Sequence, residues 1–371
     1  MKRVLHVVSA LEVGGAEIMI MDIYRRINHE ELQFDFVSHG LKEGEFEEEI
    51  RRLGGRVFRI NSLGRAGPAA YIKKMVAIMS SGRYDAVHIH TDFQGGVVAL
   101  AACLAKVKIR ICHSHSSSWN RSGRGMQALG LHVLKGMIRL FANQYCACSK
   151  EAGHFLFSGN SPSLKILHNT INVKSYQFLN EVDRELERKK YGIQRDEVVI
   201  GHVGRFSESK NQSFLLKIIQ KLQQNGVKVR AILIGDGPLK KKVEREASKL
   251  NVDKYVHFAG IQADIPRWMY LFDVFLFPSL FEGFGITVLE AQCAGTPCVV
   301  SNRVPTAIDT GLGLVSFMDL EDPIDKWAET IIATIKLSKP TLPEIHEHFL
   351  QNGLNIEDSV WQWEKLYLSA G

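Results

Sequence analysis

No stretch of this 371-residue chain offers the roughly 18 continuous apolar residues that a membrane-spanning helix needs, so no transmembrane anchor is expected. Cysteine is scarce. The six, Cys103, Cys112, Cys146, Cys148, Cys293 and Cys298, mostly fall in apolar runs, and their spacing forms neither a metal-binding quartet nor a secreted disulfide framework, which implies a reducing compartment. Met1-Lys2-Arg3 leads straight into a short strand with no signal-peptide pattern, so a cytoplasmic location is expected. No internal repeat or low-complexity tract occurs, and no G-x-G-x-x-G stands at the first strand-to-helix turn, which argues against nicotinamide chemistry. Strong charge of one sign is also missing: 46 Lys plus Arg against 40 Asp plus Glu leave +6, without a basic arm or a reader motif, so nucleic acid is not an expected partner.

What is present is an ordinary globular composition, 45% hydrophobic and 23% charged, and a length sufficient for two domains with sizeable cores. Short apolar runs near residues 3 to 8, 33 to 38, 56 to 60, 85 to 89, 107 to 112 and 143 to 147 alternate with helical patterns. After a polar stretch the alternation restarts near 197 to 203, 228 to 234, 255 to 258, 273 to 277 and 297 to 300. Such alternation predicts parallel sheets covered by helices on both faces. The expected division is a first domain over 1–170, a linker over 171–182, a second domain over 183–350 and a C-terminal helical segment over 351–371, rich in Trp361, Trp363, Leu366 and Tyr367.

The densest chemistry lies in Phe281-Glu282-Gly283-Phe284-Gly285-Ile286-Thr287-Val288-Leu289-Glu290, after the apolar run Val274-Phe275-Leu276-Phe277. A glycine turn that opens a helix leaves unpaired amides and the positive end of the helix dipole near Gly285, Ile286 and Thr287, which favours a phosphate. Glu290, one turn inside, could accept hydrogen bonds from two ribose hydroxyls, and Glu282 on the loop could face sugar hydroxyls. The plainer alternative is a capping acid and a surface glutamate. A second strand, turn and helix carries Gly204-Arg205-Phe206-Ser207-Glu208-Ser209-Lys210-Asn211, where Arg205 and Lys210 would suit a diphosphate at the C-terminal end of a parallel strand. Gly14-Gly15-Ala16-Glu17 follows the first strand, and a glycine pair there permits close approach of backbone to ligand. His113 and His115, in Ile111-Cys112-His113-Ser114-His115-Ser116, project to one side if the strand persists, and Val87-His88-Ile89-His90-Thr91-Asp92 looks similar. Histidines at strand ends also serve as plain polar contacts. Finally, Arg121, Arg124, Lys135 and Arg139 are interleaved with Trp119, Leu131, Val133, Leu134, Met137, Ile138, Leu140 and Phe141, which fits either an anionic bilayer surface or an amphipathic core helix.

The two glutamates with seven residues between them, the Arg205 and Lys210 pair, the Gly14-Gly15 loop and the histidines together closely resemble retaining glycosyltransferases of the GT-B fold, family 4, in particular those of bacterial exopolysaccharide and capsule synthesis. The resemblance spans nearly the whole chain and is strongest from 198 to 300. It implies two Rossmann-like, doubly wound α/β domains facing across a cleft, with the acceptor on the first and the nucleotide sugar on the second, and a last helix within 351–371 that crosses back to the first domain. It implies catalytic roles for His113, the favoured match, or His115 close behind, and for Glu282. Donor contacts are implied for Gly15, Arg205, Lys210, Gly285, Ile286, Thr287 and Glu290, with Gly260 and Asp264 opening the loop that seats the base. No cofactor or metal is implied beyond the nucleotide sugar as co-substrate, with a UDP-sugar favoured. The acceptor would be a glycan or lipid-linked, with peripheral contact at the inner face of the cell membrane as a further expectation. The chain departs from the pattern at Ser301-Asn302-Arg303-Val304-Pro305-Thr306-Ala307-Ile308-Asp309, where many relatives carry a glutamate around Ala307 and a more glycine-rich loop, a difference that bears on donor-sugar recognition. Competing expectations are a GT-B epimerase or phosphorylase, or a non-catalytic sugar-nucleotide-binding protein.

Overall fold

The computed structural model describes residues 1–12, 14–40, 42–116, 126–157, 164–177 and 180–368. It divides into two compact units, one formed by Met1–Asn169 with the C-terminal helix Ile356–Leu368, the other by Thr170–Asn355. Among the described residues, the first unit holds strands β1 (Lys2–Val8), β2 (Leu32–Ser38), β3 (Val57–Arg59), β4 (Ala86–Ile89), β5 (Ile109–Ser114), β6 (Gln144–Ala147) and β7 (Leu164–Ile166). They form one parallel sheet in the order β3-β2-β1-β4-β5-β6-β7. The second unit holds β8 (Val198–Val203), β9 (Val229–Ile234), β10 (Val256–Gly260), β11 (Val274–Phe277), β12 (Cys298–Ser301) and β13 (Val315–Met318), again parallel, in the order β10-β9-β8-β11-β12-β13.

Both orders double back beside the unit's first strand, as in doubly wound Rossmann-like sheets, so the expected α/β fold class is borne out. The physical reason is visible in the strands: β2, β4, β11 and β12 are buried along their whole length, which requires helices on both faces. The edge strands β7 and β13 were not among the sequence expectations. They are three and four residues long and only partly buried at most positions, and so carry little apolar signal.

One buried charge organises the first unit. Asp35 on β2 has no exposed side-chain surface, yet it accepts from Arg3 Nη2 at 2.7 Å, Arg56 Nη2 at 2.7 Å and the Tyr84 hydroxyl at 2.7 Å. Burial alone would raise its pKa, but hydrogen bonds from Arg56 and Arg3 hold it below the usual carboxylate value. The helix Ile356–Leu368 buries Val360, Trp363, Leu366 and Tyr367 against Val4, Tyr24 and Phe34. Its C-terminal carbonyls, at Tyr367 and Leu368, accept from Lys2 Nζ at 3.0 and 3.2 Å, a cation placed at the negative end of the helix dipole.

Candidate functional site

In the second unit the strand order reverses between β8 and β11, so the loops leaving these two strands lie side by side at the C-terminal edge of the sheet, where open α/β sheets bind ligands. Those are the loops that carry Arg205 with Lys210 and Glu282 with Gly285. They are tied together by backbone, since Leu280 N donates to Ser209 O at 2.7 Å, and by the Asn211 side-chain amide, which donates to Pro278 O at 3.1 Å. Lys210 Nζ donates to Glu282 Oε1 at 2.6 Å and sits 4.7 Å from the centre of the Phe277 ring. Both partners are mostly shielded, with side-chain exposures of 18% and 12%. A lysine held this way is pre-oriented and cannot drift into solvent.

A layer below, the His202 ring steadies the Arg205 loop. Its Nδ1 can only donate to Leu276 O, 3.0 Å away, which leaves Nε2 to accept from Gln212 Nε2 at 3.3 Å, while the same amide donates to Arg205 O at 3.0 Å. Burial depresses the His202 pKa to about 4 and keeps the ring neutral, as this pattern requires. Gly235 completes the support: at φ +129 it brings its α-carbon so near that an added Cβ would lie 2.2 Å from Gly204 O.

Gly285, at φ +100, caps the helix Ile286–Cys293. The first turn of this helix carries no acidic side chain, so its free amides and positive dipole end are not offset from within. Thr287 Oγ1 and, just upstream, Ser279 Oγ are buried hydroxyls with no partner among the described residues. Glu290 is half-buried one turn inside the helix. The helix is braced by Gln292, which donates to Ile308 O at 2.8 Å and accepts from Thr310 N at 3.1 Å, so the loop that contains Ala307 is held against it. A cavity lined by Arg184, Tyr270, Thr296 and Lys339 opens at the opposite edge of this sheet, before β11 and β12, and its Arg184 is already paired with Asp273.

The first unit gathers different chemistry at the equivalent edge. His6 on β1, His88 on β4 and, further along, His90, His113 and His115 stack into one aromatic column against Trp363 and Tyr367. Sheet register brings His6 opposite His88. Their contacts form two chains. Tyr367 Oη meets His88 Nδ1 at 2.6 Å, and His88 Nε2 meets His113 Nδ1 at 3.1 Å. His6 Nδ1 meets His90 Nε2 at 3.1 Å, and His90 Nδ1 meets His115 Nε2 at 2.8 Å. Burial lowers the pKa of all five, to about 3 for His6 and about 4 for His115, so the column is neutral at physiological pH.

His113 is fully buried, whereas His115 is only half-buried. Asp92 holds the latter's segment by accepting from His115 N at 3.4 Å and from the Ser116 hydroxyl at 3.0 Å. Asp92 itself has φ +44, a conformation that non-glycine residues rarely adopt and that often marks functional sites. Gly15 starts the helix Gly15–Tyr24 in this unit, and Glu17 in its first turn offsets the positive dipole end, unlike the bare first turn at Ile286. Of the basic, apolar segment, Trp119, Arg121 and Arg124 lie outside the described residues. Within helix Met126–Phe141, Lys135 Nζ donates to Phe155 O at 2.6 Å and Arg139 Nη2 donates to Phe157 O at 3.3 Å, so both cations are engaged with the neighbouring helix, while Val133 and Leu140 are exposed. No described helix is long and apolar enough to cross a membrane.

His88, His90, His113 and His115 stand out in the sequence as spaced doublets, whereas His6 is a lone histidine in an apolar strand whose partners only the register reveals. His202 and Gln212 act through backbone carbonyls and leave no motif in the sequence.

Sequence comparison decides the family. The description "Glycosyltransferase Family 4" matches residues 13–175 and "Glycosyl transferases group 1" matches residues 183–310. The chain is 39% identical over 363 residues to a protein described as putative glycosyltransferase EpsF of Bacillus subtilis, covering 97% of this chain and 94% of that one. The chain belongs to glycosyltransferase family 4. This glycosyltransferase is also 25% identical to the capsular polysaccharide biosynthesis glycosyltransferase CapH of Staphylococcus aureus, over 100% of the chain and 99% of the relative. Among solved structures, Anabaena HepE in complex with UDP and glucose superposes with a TM-score of 0.80 at 21% identity, and WaaG, from lipopolysaccharide biosynthesis, with 0.76 at 14%. Each covers at least 99% of this chain, and both share its fold.

Proposed function

We propose that this glycosyltransferase moves a sugar from a nucleotide-sugar donor, a UDP-sugar before others, to a glycan or lipid-linked acceptor in bacterial surface polysaccharide assembly, with retention of anomeric configuration and without a metal. The observation that carries this reading is the shielded Lys210 to Glu282 pair beside the acid-free helix start at Ile286. It combines fixed positive charge for a diphosphate with a carboxylate for sugar hydroxyls. Arg205, Lys210 and the amides near Gly285, Ile286 and Thr287 neutralise charge that develops on the departing nucleoside diphosphate, a contribution realised mainly in the transition state. Glu290 accepts from the ribose hydroxyls. Glu282 positions the donor sugar as positive charge builds at its anomeric carbon, a histidine of the pair His113 and His115 holds a substrate hydroxyl, and the acceptor attacks from the face the diphosphate leaves.

The donor preference is supported by HepE, whose structures hold UDP, UDP with glucose, and UDP-glucose. The biological setting is supported by the described roles of CapH and of a UDP-galactose-dependent galactosyltransferase of Escherichia coli acting on a diphosphoundecaprenol-linked sugar, 25% identical over 61% of this chain. We place the enzyme in the cytoplasm, at the inner membrane face where such an acceptor would lie.

The test is calorimetric titration of UDP, GDP and ADP into the wild type and an Arg205→Ala/Lys210→Ala variant, without added metal. Micromolar binding of one nucleotide that weakens at least about 100-fold in the variant is expected from the loss of two charge-assisted contacts. A folded wild type that binds none of the three would defeat the reading.

A further inference from the structure

The chain His6, His90, His115 has a direction that chemistry can read. Each ring is neutral and carries a single N–H, so His90 must donate from one nitrogen and accept at the other. The whole chain therefore points one way or the other. If His115 Nε2–H donated inward, His90 Nε2–H would donate to His6, and the His6 proton would sit on Nε2, a buried atom with no acceptor. In the reverse sense His6 Nδ1–H donates to His90 Nε2 and His90 Nδ1–H donates to His115 Nε2, and the His6 Nε2 left over is only a bare lone pair. A buried orphan donor is the rarer and costlier of the two.

The outward sense places the His115 proton on Nδ1, which has no partner among the described residues, at the half-buried C-terminal end of β5. The other chain differs. It runs from Tyr367 through His88 to His113 and ends on a buried, unpartnered Nε2, so it delivers nothing to the surface. The groups that face His115 are the His90 and His113 rings and, through its backbone, the Asp92 carboxylate.

We propose that His6 and His90 are positioning residues that lock His115 as the Nδ1–H tautomer, so that His115 presents a fixed N–H donor to a substrate hydroxyl and takes no proton in the reaction. This rests on the reading of this edge as part of the sugar-transfer machinery. The family resemblance favours His113 over His115; here His115 is instead the one that meets substrate, and His113 belongs to the core.

The experiment is side-chain nitrogen NMR on the full chain, labelled with 15N-histidine and free of substrate. Wild type is expected to show His115 protonated on Nδ1 and bare on Nε2. His6→Asp, which puts only acceptor oxygens where the Nδ1 donor lay, should draw the proton of His90 onto Nε2, reverse the chain and move the His115 proton to Nε2. His6→Asn, whose amide nitrogen falls where Nδ1 lay and can donate, should keep the wild-type His115 signal, which also guards against a folding artefact. A wild-type His115 protonated on Nε2, or a His6→Asp protein with unchanged His115 signals, overturns the relay. Turnover of UDP-glucose is then compared: kcat is expected to fall about 10-fold in His6→Asp with KM for the donor within a factor of about two, and to stay near wild type in His6→Asn. Equal kcat in wild type and His6→Asp overturns the positioning role. The NMR result decides the relay whichever nucleotide sugar proves to be the donor, so failure of the donor assignment and failure of the relay are told apart.

Discussion

The two units share a strand order and put opposite chemistries at the same topological place. At the edge where β8 and β11 diverge stand charged side chains and an uncompensated helix start; at the edge where β1, β4 and β5 end stands a dry column of neutral imidazoles roofed by Trp363 and Tyr367. The sheet fixes where a ligand can bind, and the residues after each strand fix what it is. The charged edge suits an anionic donor with a leaving diphosphate. The neutral edge suits hydroxyl-bearing groups that need oriented donors and no competing charge.

Acid should separate the units most strongly. In the first, His6, His88, His90, His113, His115 and His39 all have folded pKa values depressed by burial, against His202 and His346 in the second. A depressed histidine is neutral when folded and takes up a proton on unfolding below about pH 6.5. The unfolded state therefore binds more protons there, and stability present above pH 6.5 is lost as pH falls through the depressed folded values, about 3 for His6 and about 4 for His39, His115 and His202, by about 1.4 kcal/mol per pH unit for each group that titrates in the window. Hydrogen exchange resolved by segment at pH 7 and pH 5 is expected to show β1, β4 and β5 losing protection well before β8 and β11. Parallel loss in both units would contradict the contrast drawn above.

Trp363→Ala tests the same division by packing. The indole has no exposed surface and stacks on His6 and His90, so its removal should cost the first unit about 3–5 kcal/mol in chemical denaturation. Nucleotide affinity, which the proposed function assigns to the second unit, should hold within a factor of about two once the protein is folded. A variant that loses both together would mean that the units do not act as separate seats of stability and binding.

How far such features can be read from sequence follows from the physics of each. The long buried strands and the glycine turns after β8 and β11 announce themselves, because full burial forces continuous apolar runs and a sharp strand-to-helix turn favours glycine. Arg205, Lys210, Glu282 and Glu290 were legible for the same reason, being close in sequence to those turns. β7 and β13 were not, since short edge strands bury too little to leave a pattern. The histidine column was half legible: the doublets of β4 and β5 stand out, but His6 joins them only through parallel register, and Trp363 only through a helix that returns more than 350 residues later. The pairing of Lys210 with Glu282 across 72 residues is likewise a property of the sheet order and not of either motif.

Gly235→Ala probes the charged edge without touching a charge. The residue adopts φ +129, and a methyl group there would press within 2.2 Å of the Gly204 carbonyl. The backbone cost alone is about 1–3 kcal/mol, and the Arg205 loop must shift to relieve the contact. UDP affinity should therefore fall about 10-fold while the acid sensitivity of the first unit is unchanged. Unaltered affinity would show that the exact seat of Arg205 matters little.

The smallest expected effect comes from Tyr367→Phe, which deletes only the hydroxyl that meets His88 Nδ1 at 2.6 Å. Because the ring remains, packing is kept and the loss is one buried hydrogen bond, about 1–2 kcal/mol. The loss falls on the inward chain, which ends at His113, and not on the outward chain, which ends at His115. Stability of the first unit should drop by that amount in urea titration, and kcat should stay within a factor of about two. A stability loss of this size with a tenfold fall in kcat would make the two chains one network and assign His113 a part in the reaction that its burial otherwise denies it.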